Sequence, residues 1–108
     1  MNNLVSKKCV PCEIGTPPLI QEQYEPLFKE LKLDWEVIER KKIRHEFQFK
    51  DFVEAMEFVN KVAKLAEEEG HHPNIHIYYS RVVIDLTTHS IKGLSDNDFI
   101  LAAKIEQI

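Results

Sequence analysis

At 108 residues the chain fits one domain built around one hydrophobic core. A hydrophobic share of 44% and a charged share of 30% exclude a disordered or membrane-spanning chain. The opening Met1-Asn-Asn-Leu-Val-Ser-Lys-Lys lacks the apolar core of a signal peptide, so the cytoplasm is the expected compartment. A formal net charge of −4 argues against a grip on nucleic acid, which depends on Lys and Arg neutralising phosphates.

The first stretch, 1–18, mixes Lys7-Lys8 with Pro11, Gly15, Pro17 and Pro18 and shows no helix or strand period. It reads as an N-terminal arm on a single domain spanning 19–108. Its Cys9 and Cys12 are too few for a disulfide framework, and no second ligand pair follows at the spacing of a zinc site. Two reduced thiols and no metal are expected there.

From Leu19 to Leu33, Ile20, Tyr24, Leu27, Phe28 and Leu31 recur at helical spacing. Pro26 lacks an amide donor, which places the regular start near Gln23 or a kink at that point. Two strands are expected at Trp35–Ile38 and Ile43–Phe49, the second alternating Ile43, His45, Phe47 and Phe49 against Arg44, Glu46 and Gln48. Asp51 can cap a long helix with Phe52, Ala55, Met56, Val59, Val62, Ala63 and Ala66 as its apolar stripe, ended by Gly70. Pro73 then opens a strand over Asn74–Tyr79, with Ile75, Ile77 and Tyr79 on one face and His76 and Tyr78 on the other. A tight turn near Ser80 and Arg81 leads into Val82–Thr87, with Val82, Ile84 and Leu86 facing one way. Ser95, with Asp98 three positions on, starts a last helix whose Phe99, Ala102, Ala103 and Ile105 form a buried stripe. The order α-β-β-α-β-β-α predicts an α+β fold, a four-stranded antiparallel sheet with three helices packed on one face. A sheet with one bare face and free edges is expected to pair into a homodimer or homotetramer.

Three histidines fall at the ends of these elements. His71 and His72 lie just past the helix that Gly70 ends, and His89 just past the fourth strand. Histidine gives and takes protons near neutrality, so their convergence on one rim points to general acid–base chemistry on a small molecule. Glu67, one turn before His71, is placed to orient that ring. A catalytic zinc site usually takes three protein ligands around an open position, and adjacent histidines aim apart, so no metal is expected. His45 falls on the apolar parity of its strand, where one hydrogen bond satisfies a core histidine, and is left out of the site.

The series Glu67, His71-His72-Pro73, Tyr79, Thr88-His89 and Gly93-Leu94-Ser95-Asp96-Asn97-Asp98 resembles the pterin-4a-carbinolamine dehydratases. The resemblance runs from about Trp35 to the C-terminus, through Phe47-Gln-Phe49-Lys-Asp51-Phe52, Ala55 and Phe58. It implies dehydration of 4a-hydroxytetrahydropterin to quinonoid dihydropterin and water, in recycling of tetrahydrobiopterin after a pterin-dependent aromatic amino acid hydroxylase. No redox cofactor or metal is implied. Carried over by position, His71 and His89 match the essential histidines and His72 a supporting one, with Glu67, Pro73, Tyr79 and Thr88 on the substrate. Gly70 stands where some relatives have Asp, and Ser90-Ile91 replaces the residues that often follow Thr-His, which leaves the pterin side chain open. Two alternatives accompany the resemblance: a dehydratase-like protein in other pterin or molybdopterin metabolism, and the dimerisation cofactor of a homeodomain transcription factor, hepatocyte nuclear factor, which some animal relatives are.

Overall fold

The computed structural model describes residues 4–108, so the first three residues of the arm lie outside the description. Its elements are α1 (Gln21–Glu30), β1 (Glu36–Ile38), β2 (Lys42–Gln48), α2 (Phe52–Glu69), β3 (Asn74–Tyr78), β4 (Arg81–Leu86) and α3 (Asp96–Ile105), with 3-10 turns at Leu4–Ser6 and His89–Ile91. The sheet order is β1-β2-β4-β3 with every neighbour antiparallel. This is the expected α-β-β-α-β-β-α fold.

Register fixes which face each side chain takes. Ile43 lies opposite Leu86, His45 opposite Ile84 and Phe47 opposite Val82, while Ile75 and Ile77 of β3 meet Ile84 and Val82. Because side chains alternate along a strand, this parity puts Ile43, Val82, Ile84 and Leu86 under the helices, all fully buried. The other face carries Arg44, Glu46, His76, Tyr78 and Asp85. α3 is buried nearly all round, Phe99 through Ala103 and Ile105, because α1, α2, the sheet and Leu4 of the arm surround it. Trp35 is buried too, and its indole N–H donates to Glu106 at 2.8 Å. The same carboxylate accepts from the amides of Lys32 and Leu33, tying the α1–β1 loop to the end of α3.

Local details differ from the sequence expectation, β1 starting at Glu36 rather than Trp35 and β2 running one residue earlier at each end, as Lys42–Gln48. α1 begins at Gln21 rather than Gln23, because the Gln23 side chain accepts the Ile20 amide at 2.9 Å and so satisfies the first turn. On α2 Phe58 is a core residue while Phe52 and Ala63 are exposed, the helix turning Phe58 toward Phe47 and Phe49. β3 stops at Tyr78 and β4 starts at Arg81, one residue earlier at each end, because Tyr79 takes a left-handed conformation (φ 57°) and makes the turn. Tyr79 is therefore not on the Ile75–Ile77 face; it stacks on exposed Phe52 with near-parallel rings 6.5 Å apart.

Close approach explains Gly93. A Cβ there would sit 2.5 Å from the Cβ of Pro18, where the chain enters α1 beside the Leu19 amide bonded to the Leu94 carbonyl at 2.8 Å. Gly93→Ala should cost about 1–3 kcal/mol, and Pro18→Gly, which removes the clashing atom, should restore part of it. Thermal unfolding of the two single variants and the double variant checks this; strictly additive losses would contradict the contact.

On the open face Asp85 is 3% exposed and pairs with Arg44 through two bonds of 2.6 and 3.0 Å, with Lys42 and His76 at 3.6 and 3.4 Å. Burial raises the Asp85 carboxyl, but the hydrogen bonds and charge of Arg44, then the charges of Lys42 and His76, outweigh it and hold it below its ordinary value. The unfolded chain therefore takes up this proton at higher pH than the folded one. The stability it contributes is present at neutrality and lost as pH falls from about 4 through the lower folded value. Arg44 is 39% exposed, so Asp85→Asn is expected to cost about 1–3 kcal/mol at pH 7. Urea midpoints from pH 6 to 3 should fall less steeply in the variant than in the parent.

Candidate active site

Gly70 makes the site possible at one end. It closes α2 in the left-handed conformation (φ 67°), its amide and that of His71 both reaching the Ala66 carbonyl. The chain is thereby turned off the helix, and His71 points back toward the start of α3. There His71 Nε2 lies 2.6 Å from Asp98 Oδ1, across 27 residues of sequence.

Asp98 is fully buried and has no spare oxygen. Its Oδ2 accepts from the Ser95 amide at 3.0 Å and from the Thr88 hydroxyl at 2.9 Å. Thr88 and Ser95 hydroxyls are 2.7 Å apart, and Ser95 Oγ accepts from the Asn97 amide. The residue that completes the capping box of α3 thus also holds the His71 ring. Because a carboxylate accepts, Nε2 carries the proton in this pair and Nδ1 is the nitrogen available for transfer.

His72 turns the other way and pairs with Glu67 at 2.6 Å, both exposed. Glu67 was expected beside His71; the structure gives it to His72, since an i,i+5 reach past the glycine cap suits the exposed ring while Asp98 already occupies His71. His89 opens the 3-10 turn after Thr88, is exposed, and its imidazole has no hydrogen-bond partner among the described residues. The bridge from Thr88 to Gly93 closes that turn and fixes where His89 leaves the sheet.

His71, His72, Thr88 and His89 line one cleft of about 320 Å³, near the lower end of small-molecule sites. A second hollow of about 440 Å³, lined by Lys41, Lys42 and Lys92, shares His89 and Thr87 with it. A larger concavity, about 840 Å³, lies on the open sheet face. Its two arginines are already matched, Arg44 to Asp85 and Arg81 to Glu46, so the histidine cleft is the better candidate for chemistry. His45 is apart from it, between the rings of Trp35 and Phe47 with Nδ1 3.2 Å from the Asp34 carbonyl.

Of the residues marked in the sequence, the structure does not bring Tyr79 to the cleft. It lies at the far end of β3 from His72, five residues or about 16 Å along the strand. Its stacking partner Phe52 opens the 18-residue α2 that His71 follows, about 27 Å away along that helix. Pro73 is half-buried between His72 and β3 and does not line the cleft. Sequence reasoning left unmarked Asp98 as the partner of His71, and, in the lining of the cleft, Asn97 and the arm residues Pro11 and Cys12. Among the described residues no three of His, Cys, Asp and Glu are grouped so as to hold a metal ion.

A family model described as pterin 4 alpha carbinolamine dehydratase matches residues 17–108. The chain belongs to that family. The match starts well before Trp35, so it takes in α1 as well as the motif region. A provisionally named pterin-4-alpha-carbinolamine dehydratase of Alkaliphilus metalliredigens is 45% identical over 99% of this chain and 96% of its own. One of Rubrobacter xylanophilus with the same name is 44% identical over the full length of both. Among solved structures, a transcriptional coactivator/pterin dehydratase from Brucella melitensis superposes with a TM-score of 0.77 at 32% identity, covering 83% of this chain and 96% of that one. A pterin dehydratase-like RuBisCO assembly factor of the alpha-carboxysome shares the fold, with a TM-score of 0.60 at 23% identity over 70% of this chain and 89% of its own.

Asp98→Ala should be among the most damaging single substitutions. It leaves the buried Thr88 hydroxyl and Ser95 amide short of a partner and removes half the capping box, an expected loss of about 2–4 kcal/mol. Ser95→Ala, which removes the cap oxygen and its bond with the Thr88 hydroxyl but leaves Asp98 in place, should cost about 1–2 kcal/mol. Chemical denaturation of both variants checks the order; an equal or reversed order would mean that Asp98 serves only as a cap.

Proposed function

We propose that this chain dehydrates 4a-hydroxytetrahydropterin to quinonoid dihydropterin and water, by proton transfer between imidazoles, with His71 and His89 as the acid–base pair. The observation that carries the reading is the meeting of His71, His72 and His89 in one cleft, with His71 fixed by buried Asp98. The reaction breaks the C4a–O bond, forms the C4a–N5 double bond and releases the N5 proton. One imidazole protonates the departing hydroxyl while the other accepts from N5, so the protons balance and no electrons leave the substrate. His72, steadied by Glu67, sits at the rim as an orienting group. Thr88 acts through Asp98, holding the carboxylate that holds His71. Such a substrate would come from a pterin-dependent hydroxylase.

His71→Ala and His89→Ala should each lower turnover by about a hundredfold or more with the fold intact. The double variant should lose less than the product of the two, because groups that act as one unit are not additive. His76→Ala, on the opposite sheet face, serves as the control and should change turnover little. The assay follows dehydration of freshly generated 4a-hydroxytetrahydropterin by absorbance, with chelator-treated enzyme alongside. Full activity in the double variant, or activity lost to chelator and restored by zinc, would overturn the mechanism.

A further inference from the structure

The arm is the part of the cleft that the family match leaves out, since that match begins at residue 17. It does not trail from the body. The Val10 amide donates to Asn97 Oδ1 at 3.0 Å, and Asn97 Nδ2 donates back to the Val10 carbonyl at 2.6 Å. The same Nδ2 reaches Cys12 Sγ at 3.7 Å. One side-chain amide thus satisfies both polar groups of one arm residue, as a neighbouring strand would, and every hydrogen bond that the Asn97 side chain makes goes to the arm. A second anchor lies one residue back. The Cys9 amide donates to Glu69 Oε1 at 2.9 Å, while Glu69 Oε2 takes Lys104 at 2.7 Å.

These anchors have a direct consequence for the cleft. Asn97 precedes Asp98, and Glu69 precedes Gly70 and His71, so the arm is pinned to the two segments that supply the Asp98–His71 pair. The next arm residues, Pro11 and Cys12, line the cleft together with His71 and His89. We propose that Pro11 and Cys12 are substrate-contacting residues of the pterin site, and that Asn97 is the positioning residue that holds them there. This rests on the pterin reading of the cleft. The arm sets affinity and side-chain selection, and the histidines set the rate.

Chemistry separates the two thiols. Burial, then the charge of Glu69, pushes the Cys9 thiol up to about 12, so it stays neutral and inert. Cys12 is half-buried at the cleft, which makes it the reporter.

The experiment uses the full chain carrying Cys9→Ser, alkylated with N-ethylmaleimide and read by mass of the Cys12 peptide. The probe is 7,8-dihydrobiopterin, a pterin without the C4a hydroxyl, its binding followed independently by calorimetry. Saturating probe should slow Cys12 labelling at least tenfold. Asn97→Ala, which removes the side-chain hydrogen bonds to the arm, and Val10→Pro, which removes the arm donor without touching α3 or the cleft lining, should each raise KM about five- to tenfold with kcat within about threefold. Combined, they should do little more than either alone, since both break one clamp. Probe that binds by calorimetry while Cys12 labels at its free rate would overturn the wall, leaving the proposed reaction standing. Unchanged KM in both variants would overturn the positioning role. Failure of the probe to bind at all would remove both this inference and the pterin reading.

Discussion

One buried carboxylate organises this end of the molecule. Asp98 is fully buried, and a charge taken out of water is tolerated only when its lone pairs are met. Here they are met by groups from three places: His71 after α2, Thr88 after β4, and the Ser95 amide of the loop that leads into α3. Each partner is also an end of an element that would otherwise carry unsatisfied groups. The same carboxylate therefore caps a helix, closes the loop from the sheet, and aims an imidazole. Moving any one of these segments would strand the other two. The position at the third residue of α3 adds the favourable field of a helix N-terminus, where negative charge is stabilised.

That arrangement accounts for the location of the cleft at the sheet's end rather than on its broad face. The open face has more hollow volume, yet its two arginines are already paired, Arg44 with Asp85 and Arg81 with Glu46. Groups already paired at short distance have little left for a ligand. At the rim the balance differs, because His71 has one nitrogen committed and the other not, and the His89 imidazole has no hydrogen-bond partner among the described residues. Unequal commitment of like groups is what acid–base chemistry needs, one ring held and one accessible.

Much of this was legible in the sequence where a single principle governs a single residue. Gly70 as a left-handed stop, Asp51 as a cap accepting the Glu54 amide at 2.9 Å, and the two-residue alternation of β2 and β4 all follow from local chemistry. The hairpin between β1 and β2 carried no such signal, since its left-handed turn residues are Glu39 and Arg40 rather than Asn or Gly. Tyr79 misled for a related reason: an aromatic at the end of an alternating run reads as strand, while the fold places it left-handed in the turn. The site was legible in its histidines and not in their partners. Glu67 is nearer than Asp98 to His71 in sequence, but the turn at Gly70 reverses the geometry, and only the packing of α2 against α3 decides which carboxylate each ring meets. The arm was the least legible part, because its fastening depends on Asn97 and Glu69, 87 and 60 residues away from their partners.

The unequal exposure of the two histidines also suits the proton bookkeeping of the proposed reaction. Each turnover would leave one imidazole with an extra proton and the other short of one, so a route between them is needed before the next substrate. His89 is exposed and can exchange with water directly. His71 is 11% exposed and tied to Asp98, which preserves its orientation through both protonation states. Were both rings buried, the proton would be trapped on the wrong side; were both loose, neither would hold its angle to the substrate. A fixed ring anchored in the core, facing a free ring at the solvent edge, meets both requirements with the side chains that the fold already needs to end α2 and β4.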